Sequence, residues 1–150
     1  MRSFATIAEL RELVGQEVGV SGWITVTQER IQLFADATND HQWIHLDVER
    51  SKAGPFGATI AHGFLTLSLL PEMAASAFTV REARMGVNYG LNKVRFPAPV
   101  PSGSRLRGHF KLVGYEPLEG GAQITVQVTM EREGSDKPVC IAESLSRRYA

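Results

Sequence analysis

The chain has little cysteine, no long apolar run and no excess charge of either sign. Cys140 is the one cysteine among 150 residues, which excludes an intrachain disulfide and a multi-cysteine zinc site. No apolar run reaches the ~18 residues that span a membrane. Sixteen basic residues balance sixteen acidic ones, which argues against nucleic acid as a partner. Acidic residues interrupt the N-terminal segment where a signal peptide would be apolar, so we expect a cytoplasmic protein.

Length and turn signals predict one α+β domain over residues 1–150. Thr6 and Glu9 have the spacing of a capping box, and Thr27 is placed to cap a second helix that ends near Asn39. Four consecutive strands follow after residue 85, each with alternating apolar residues. A change of phase near Gly90 predicts a β-bulge in the first of these strands.

The segment 62–78 does not reveal its structure by local pattern. Alternation around Thr66 and Ser68 suits a strand, whereas the apolar run that continues through Met73 and Ala77 suits a helix buried on all sides. Pro71 would remove one backbone hydrogen bond from such a helix. Both structures stay open on these grounds.

A dense polar stretch, residues 40–47, follows the second predicted helix. Asp40 and His45 lie five residues apart at the helix end, where both side chains can reach one water. A histidine near its ordinary pKa of ~6.5 exchanges protons readily at neutral pH, and a carboxylate beside it orients it or shares the proton transfer. The alternative is a polar loop that caps the helix. A metal site of His41, His45 and Asp47 is disfavoured because no second ligand cluster accompanies it.

His62 and Gly63 form a second candidate cluster directly before the apolar run. If that run is a helix, Gly63 lies at its N-terminus, where unpaired backbone N–H groups favour negative charge. The absence of a side chain would let a ligand oxygen approach the backbone closely. The alternative is an ordinary turn glycine.

Together these segments resemble the MaoC-like (R)-specific enoyl-CoA hydratases, and most closely their nodulation-protein-N-like single-domain branch. The resemblance runs from about Val18 to the C-terminus, and four segments carry it: FADATNDHQWIH (34–45), GPFG (54–57), AHGF (61–64) and NYGLNKVRFPAPV (88–100). It implies a hot-dog fold, in which an antiparallel sheet wraps around one long apolar central helix. It therefore implies that residues from about Gly63 onward form that helix.

The resemblance also implies the catalytic groups. In the family, an aspartate and a histidine activate the water and correspond here to Asp40 and His45. The backbone N–H of the family's glycine binds the thioester oxygen and corresponds to that of Gly63. Gln42 and Trp43 stand where many relatives have Asn and Pro, and we expect these two side chains to contact the substrate at the pocket mouth.

Further implied contacts concern the substrate and the assembly. His62 is expected to contact the substrate, and Lys93 and Arg95 to meet the phosphates of coenzyme A; for Arg105 and Arg107 a solvated basic face is the alternative. The resemblance implies a homodimer of fatty acid metabolism that acts on an acyl-CoA thioester and needs no cofactor or metal. No membrane span and no nucleic-acid partner are expected.

The predicted reaction is (R)-specific hydration of a 2-enoyl-CoA to a 3-hydroxyacyl-CoA, or the reverse dehydration. Two alternatives belong to other classes. A thioesterase is one, because hot-dog domains also host thioester hydrolysis. A non-catalytic acyl-thioester-binding protein is the other, and the presence of both Asp40 and His45 argues against it.

Overall fold

The computed structural model describes residues 1–150. The N-terminal half contains the strands and helices β1 (Arg2–Phe4), a 3₁₀ helix (Ala8–Leu13), β2 (Glu17–Val20), β3 (Ile24–Thr25), α1 (Gln28–Thr38), α2 (Trp43–Leu46) and α3 (Val48–Lys52). The remainder contains α4 (Gly63–Ser68), α5 (Leu70–Ala77), β4 (Phe78–Val80), β5 (Met85–Arg95), β6 (Arg105–Leu118), β7 (Gly121–Arg132) and β8 (Cys140–Tyr149). The predicted order, helices early and long strands late, is confirmed.

The main sheet is antiparallel, with the strand order β2-β6-β7-β8-β5 and with β3 pairing beside β2 on β6. Its inner face is built by the alternating apolar residues of β6 and β7, such as Leu106, Phe110, Ile124 and Val128, which are buried. The bulge predicted near Gly90 is present, because the register of β5 against β8 shifts between Asn88 and Gly90 and again beyond Leu91. The α+β class with an antiparallel sheet is thereby confirmed.

The segment that local pattern left open is helical and lies against the sheet. α4 and α5 follow each other, and Leu65, Met73 and Ala77 join the core that the sheet covers. The helix is interrupted at Leu69, whose N–H donates to the carbonyl of Thr66 at 3.2 Å. Pro71 has no N–H to continue the helical ladder, which accounts for a break at this point. No helix of the chain has both the length and the apolar character to cross a membrane.

Capping side chains fix the bounds of the helices that surround residues 40–47. Thr27 Oγ1 accepts the N–H of Arg30 at 3.1 Å and starts α1. Asn39 ends α1 in the left-handed conformation, with φ of 60°. Asp47 Oδ1 then accepts the N–H of Arg50 at 3.0 Å and starts α3. The cap at Thr27 is the one predicted from the sequence, and the cap at Asp47 is a finding of the structure.

Two features at the N-terminus differ from the sequence-based expectation. β1 pairs in parallel with β4 and forms a separate two-stranded sheet that local pattern did not indicate. The alternation of Val18, Val20, Ile24 and Val26 predicts a single strand, whereas the structure divides this segment into β2 and β3. At the division Ser21 Oγ accepts the N–H of Gly108 at 2.8 Å, so a side chain replaces a backbone partner there.

Gly19 tests how tightly β2 packs on the end of α5. A Cβ at Gly19 would lie 2.5 Å from the carbonyl oxygen of Ala77, which is backbone and cannot rotate away. We therefore expect Gly19→Ala to lower the free energy of unfolding by about 1–3 kcal/mol, measured by urea denaturation. Gly22→Ala is the matched control, because a Cβ at Gly22 has no atom within 4 Å. Equal stability of the two variants would contradict the packing described here.

Candidate active site

Three polar side chains converge where the loop after α1 meets the start of α4. The ligand-type atoms of Asp40, His45 and His62 all lie within 4.8 Å of one another. Asp40 is on the loop, His45 is on the single turn of α2, and His62 directly precedes α4. The two clusters that the sequence analysis singled out separately therefore form one site.

His45 has a fixed tautomer. Its Nδ1 lies 2.7 Å from the carbonyl oxygen of Ile60. A carbonyl oxygen only accepts, so Nδ1 carries the proton, and in the neutral ring Nε2 is an unprotonated acceptor. The side-chain amide of Gln28 donates to the backbone carbonyl of His45 at 2.8 Å, and Thr59 donates to the same amide's oxygen at 2.5 Å. The side chain and the backbone carbonyl of His45 are thereby both held by hydrogen bonds.

Burial lowers the pKa of His45 below its ordinary value, because the charged ring loses solvation. The hydrogen bond to Ile60 and the Asp40 carboxylate act in the opposite direction, while His62 adds to the lowering. The net direction is downward. The His45 ring is accordingly neutral at neutral pH, with Nε2 ready to accept a proton.

The Asp40 carboxylate is more exposed than the two imidazoles, with about half of its side chain open to solvent. Its Oδ1 accepts the N–H of Gln42 at 3.3 Å, and Oδ2 lies 4.0 Å from Nε2 of His62. One oxygen is thus held by the backbone, whereas the other faces the space beside the two rings. A carboxylate in this position can accept a hydrogen bond from a water that also contacts His45.

His62 contacts both Asp40 and His45. Its side chain is 3 % exposed, and its Nε2 donates to the backbone carbonyl of Asp40 at 3.0 Å. Its ring stacks on that of His45, with centroids 3.8 Å apart and an interplanar angle of 23°. Phe34 packs against the ring of His62, with centroids 4.9 Å apart. The His62 ring is thus enclosed by the Asp40 backbone, the His45 ring and the Phe34 ring.

Gly63 is the first residue of α4. Its N–H donates to no protein acceptor, as is usual for the first turn of a helix. A Cβ at this position would lie 3.1 Å from the ring of Phe96, so this ring packs closely against the backbone of Gly63. A side chain at residue 63 would therefore crowd the Phe96 ring beside this donor.

Two cavities lie beside α4, and only the smaller of them is lined by a residue of the site, Gly63. The larger, about 760 Å³, lies between the α4–α5 helix and β5 and is lined mainly by apolar side chains, among them Phe64, Leu67 and Val87, with Arg148 as a cation in its wall. The smaller, about 270 Å³, is lined by Gly63, Thr66 and Phe96 among others. The larger volume is in the range of ligand-binding cavities.

The two residues that depart from the family pattern lie on the outer side of the loop. Gln42 is exposed, and Trp43 is half-buried. The Trp43 indole is packed between the guanidinium of Arg50, 4.0 Å from the ring centroid, and Gly54. Neither residue lines one of the two cavities.

The four candidate cations divide into two pairs. Lys93 and Arg95 are exposed on β5 and form no ion pair. Arg105 and Arg107 are bound instead to carboxylates of β7 and the turn beyond it, with distances of 2.9 Å to Glu133 and 2.7 Å to Glu131. The second pair is therefore already neutralised within the sheet.

The metal site considered from the sequence does not assemble. His41 Nε2 binds Asp36 at 3.0 Å on the surface, and Asp47 caps α3, so neither joins His45. The cluster that does form includes His62, but stacked imidazoles direct their lone pairs in nearly parallel planes. Such rings do not converge on one cation.

Sequence reasoning missed the groups that orient His45. The carbonyl of Ile60 is a backbone atom, and no sequence pattern marks it. Gln28 and Phe34 lie on α1, and their contacts with residues 45 and 62 depend on how α1 packs over the loop. The one available signal is the helical spacing of Ile31, Phe34 and Ala35, which predicts a shared apolar face of α1.

Comparisons with known proteins show which family this chain resembles. Residues 9–134 match the model of the MaoC like domain. The chain is 58 % identical, over the full length of both proteins, to "3-hydroxyacyl-thioester dehydratase Z" of Mycobacterium tuberculosis. It is 50 % identical to "Nodulation protein N" of Rhizobium leguminosarum over 91 % of this chain and 87 % of that protein. The solved structure of R-hydratase PhaJ1 from Pseudomonas aeruginosa superposes with a TM-score of 0.74 at 23 % identity, covering 97 % of this chain and 86 % of that one.

The lowered pKa of His45 has a direct test. We expect the ring to protonate, in an NMR titration of ¹³C-histidine-labelled protein, below the ~6.5 of an unfolded chain. As the pH falls from about 6.5 through the folded pKa, the unfolded chain binds the proton first, so the free energy of unfolding decreases in that window. The signal is assigned by its absence from His45→Ala. A titration at or above the unfolded value would contradict the burial argument.

Proposed function

Because the chain belongs to the MaoC-like domain family and is an enzyme of the hydratase/dehydratase class, we propose that it catalyses the (R)-specific hydration of a 2-enoyl-CoA to a 3-hydroxyacyl-CoA, or the reverse dehydration. The observation that carries the proposal is the convergence of Asp40 and His45, since a carboxylate oxygen of Asp40 and a ring nitrogen of His45 lie within 4.8 Å of each other. The 58 % identical relative, named a 3-hydroxyacyl-thioester dehydratase, supports a thioester substrate.

One water between the two side chains is the nucleophile in this mechanism. Asp40 and His45 both accept hydrogen bonds from it, which directs a lone pair of its oxygen at the β-carbon of the enoyl thioester. As the C–O bond forms, one water proton passes to the acid–base pair and is returned to the α-carbon, while the other stays on the new hydroxyl. Such acid–base help contributes roughly 10²–10⁴-fold to the rate.

Gly63 stabilises the charge that develops on the substrate. Attack at the β-carbon moves electrons onto the thioester oxygen, which becomes an enolate oxygen. The unpaired N–H of Gly63 is free to bind that oxygen, and the loss of one such donor typically costs ~10²–10³-fold in rate. The backbone donor needs no reorganisation, because α4 holds it before the reaction begins.

The acyl chain and the nucleotide have separate places in this proposal. We assign the acyl chain to the apolar cavity of about 760 Å³, whose wall includes Phe64, next to Gly63 in the sequence, and Val87 of β5, which also belongs to the dimer surface proposed below. The phosphates of coenzyme A are matched by Lys93 and Arg95, which are exposed and have no carboxylate partner. Gln42 is exposed on the loop of Asp40 and contacts the thioester arm, whereas the packing of Trp43 against Arg50 supports that loop from outside.

We further propose that the protein is a homodimer that joins through β5. This strand pairs with β8 on one side only, and its free edge belongs to a strand with exposed apolar residues, namely Met85, Val87, Tyr89 and Leu91. An unpaired edge with exposed apolar side chains favours association, and a second copy presents the same surface in antiparallel orientation.

The enzymatic proposal is tested with crotonyl-CoA and longer enoyl-CoA thioesters. We expect loss of the enoyl thioester absorbance without release of free thiol, and an (R)-3-hydroxyacyl product on chiral analysis. Asp40→Asn and His45→Ala each remove one acceptor of the water, and we expect at least a ~100-fold lower kcat in both. Thiol release instead of hydration would identify a thioesterase, and tight binding without turnover a binding protein; either result rejects the proposal.

Asp36→Asn and His41→Ala are matched controls for the two catalytic variants. These residues pair with each other at 3.0 Å on the surface and lie outside the cluster. They remove the same chemical groups within a few residues of the site, so we expect wild-type kcat from both. Equal losses in the control and catalytic variants would mean that the loop responds to any substitution and would remove Asp40 and His45 from the mechanism.

The dimer is tested by sedimentation. Val87→Lys places a charge on the apolar face of β5, and we expect it to shift the protein from dimer to monomer because the charge would be buried in the interface. Val14→Lys is the control: Val14 is equally exposed but distant from β5, at 44 % against 41 %. A monomeric wild type, or a Val87→Lys variant that sediments as wild type, would contradict the β5 interface.

A further inference from the structure

The buried ring of His62 contacts both of the proposed catalytic residues. Its Nε2 donates to the backbone carbonyl of Asp40 at 3.0 Å, and its face covers the ring of His45 with centroids 3.8 Å apart. One side chain thereby touches both residues that hold the proposed water. We propose that His62 is a positioning residue, which fixes the Asp40 backbone and the His45 ring relative to each other, and that it does not contact the substrate. This inference rests on the proposed function.

The tautomer of His62 supports this role. Since the carbonyl of Asp40 only accepts, the proton of the neutral His62 ring is on Nε2, and Nδ1 is an acceptor. That Nδ1 is buried without a hydrogen-bond partner, as is the hydroxyl of Thr66 one helical turn further on. The hydrogen bond that the structure shows for this ring is thus a single one, from Nε2 to the backbone of Asp40.

The surroundings of His45 show what the stacked ring contributes. The titratable groups that act on His45 are Asp40 from the loop and His62 from the start of α4. α1 adds only the uncharged amide of Gln28, and the segment before α4 adds the carbonyl of Ile60. His62 is thus the group that covers one face of the His45 ring. Its removal would expose that face to water.

Two variants separate a positioning role from substrate contact. His62→Ala removes both the donor and the stacked ring, and we expect a kcat about 10- to 100-fold lower with KM changed less than about threefold. His62→Gln keeps an amide donor near the position of Nε2, so we expect it to recover most of kcat. In both variants the acid limb of the kcat/KM profile should move to higher pH, because the uncovered His45 regains solvation.

A readout without substrate keeps this inference separate from the proposed function. In the NMR titration, the pKa of His45 should rise toward the ordinary value in His62→Ala and in His62→Gln. If the wild type does not hydrate enoyl-CoA, the proposed function fails, whereas the titration still decides whether His62 controls His45. If His62→Ala does not fold, the titration of His62→Gln decides.

Three results would overturn the proposal. A raised KM with unchanged kcat would make His62 a substrate contact. An unchanged kcat with an unchanged acid limb would make it a packing residue only. An unchanged His45 titration in His62→Gln would show that the stacked ring has no influence on its neighbour.

Discussion

The hydrogen bond from Nδ1 of His45 to the carbonyl of Ile60 governs the chemistry that the site can perform, because it decides which imidazole nitrogen can accept a proton. The acceptor is itself held by the sheet-like pairing of its segment. Ile60 donates to the carbonyl of Ile44 at 3.0 Å, and Ala61 donates to that of Val100 at 2.8 Å. The tautomer of one side chain is thus set by backbone pairing over a distant part of the sequence.

The same short segment leads into α4, so the orientation of His45 and the accessible N–H of Gly63 share one support. The helix that begins there continues into the core through Met73 and Ala77, where β2 and β6 pack against it. Large apolar burial on the sheet side therefore anchors the polar groups at the helix start. The interruption at Leu69 falls beyond the first turn of α4 and leaves the geometry at Gly63 unaffected.

Charge is distributed unevenly despite a net value of zero. The outer face of β6 and β7 carries a compensated network, in which Arg107 and His109 both bind Glu131 and hold the pKa of that carboxyl below its ordinary value. By contrast, Lys93 and Arg95 on β5 have no acidic partner. A neutral chain can therefore still offer cations to an anionic ligand, because neutrality is a sum over the whole surface.

The sequence by itself determined the helix cap at Thr27, the alternating strands after residue 85 and the two polar clusters, since each depends on interactions among residues a few positions apart. Family resemblance added the central helix, which local pattern could not distinguish from a strand because segment 62–78 is apolar in either structure. Only the tertiary structure decided that His62 stacks on His45, that Ile60 fixes the tautomer and that Arg107 is already paired. These contacts join residues 15 to 24 positions apart, and their geometry depends on how the helices and strands pack.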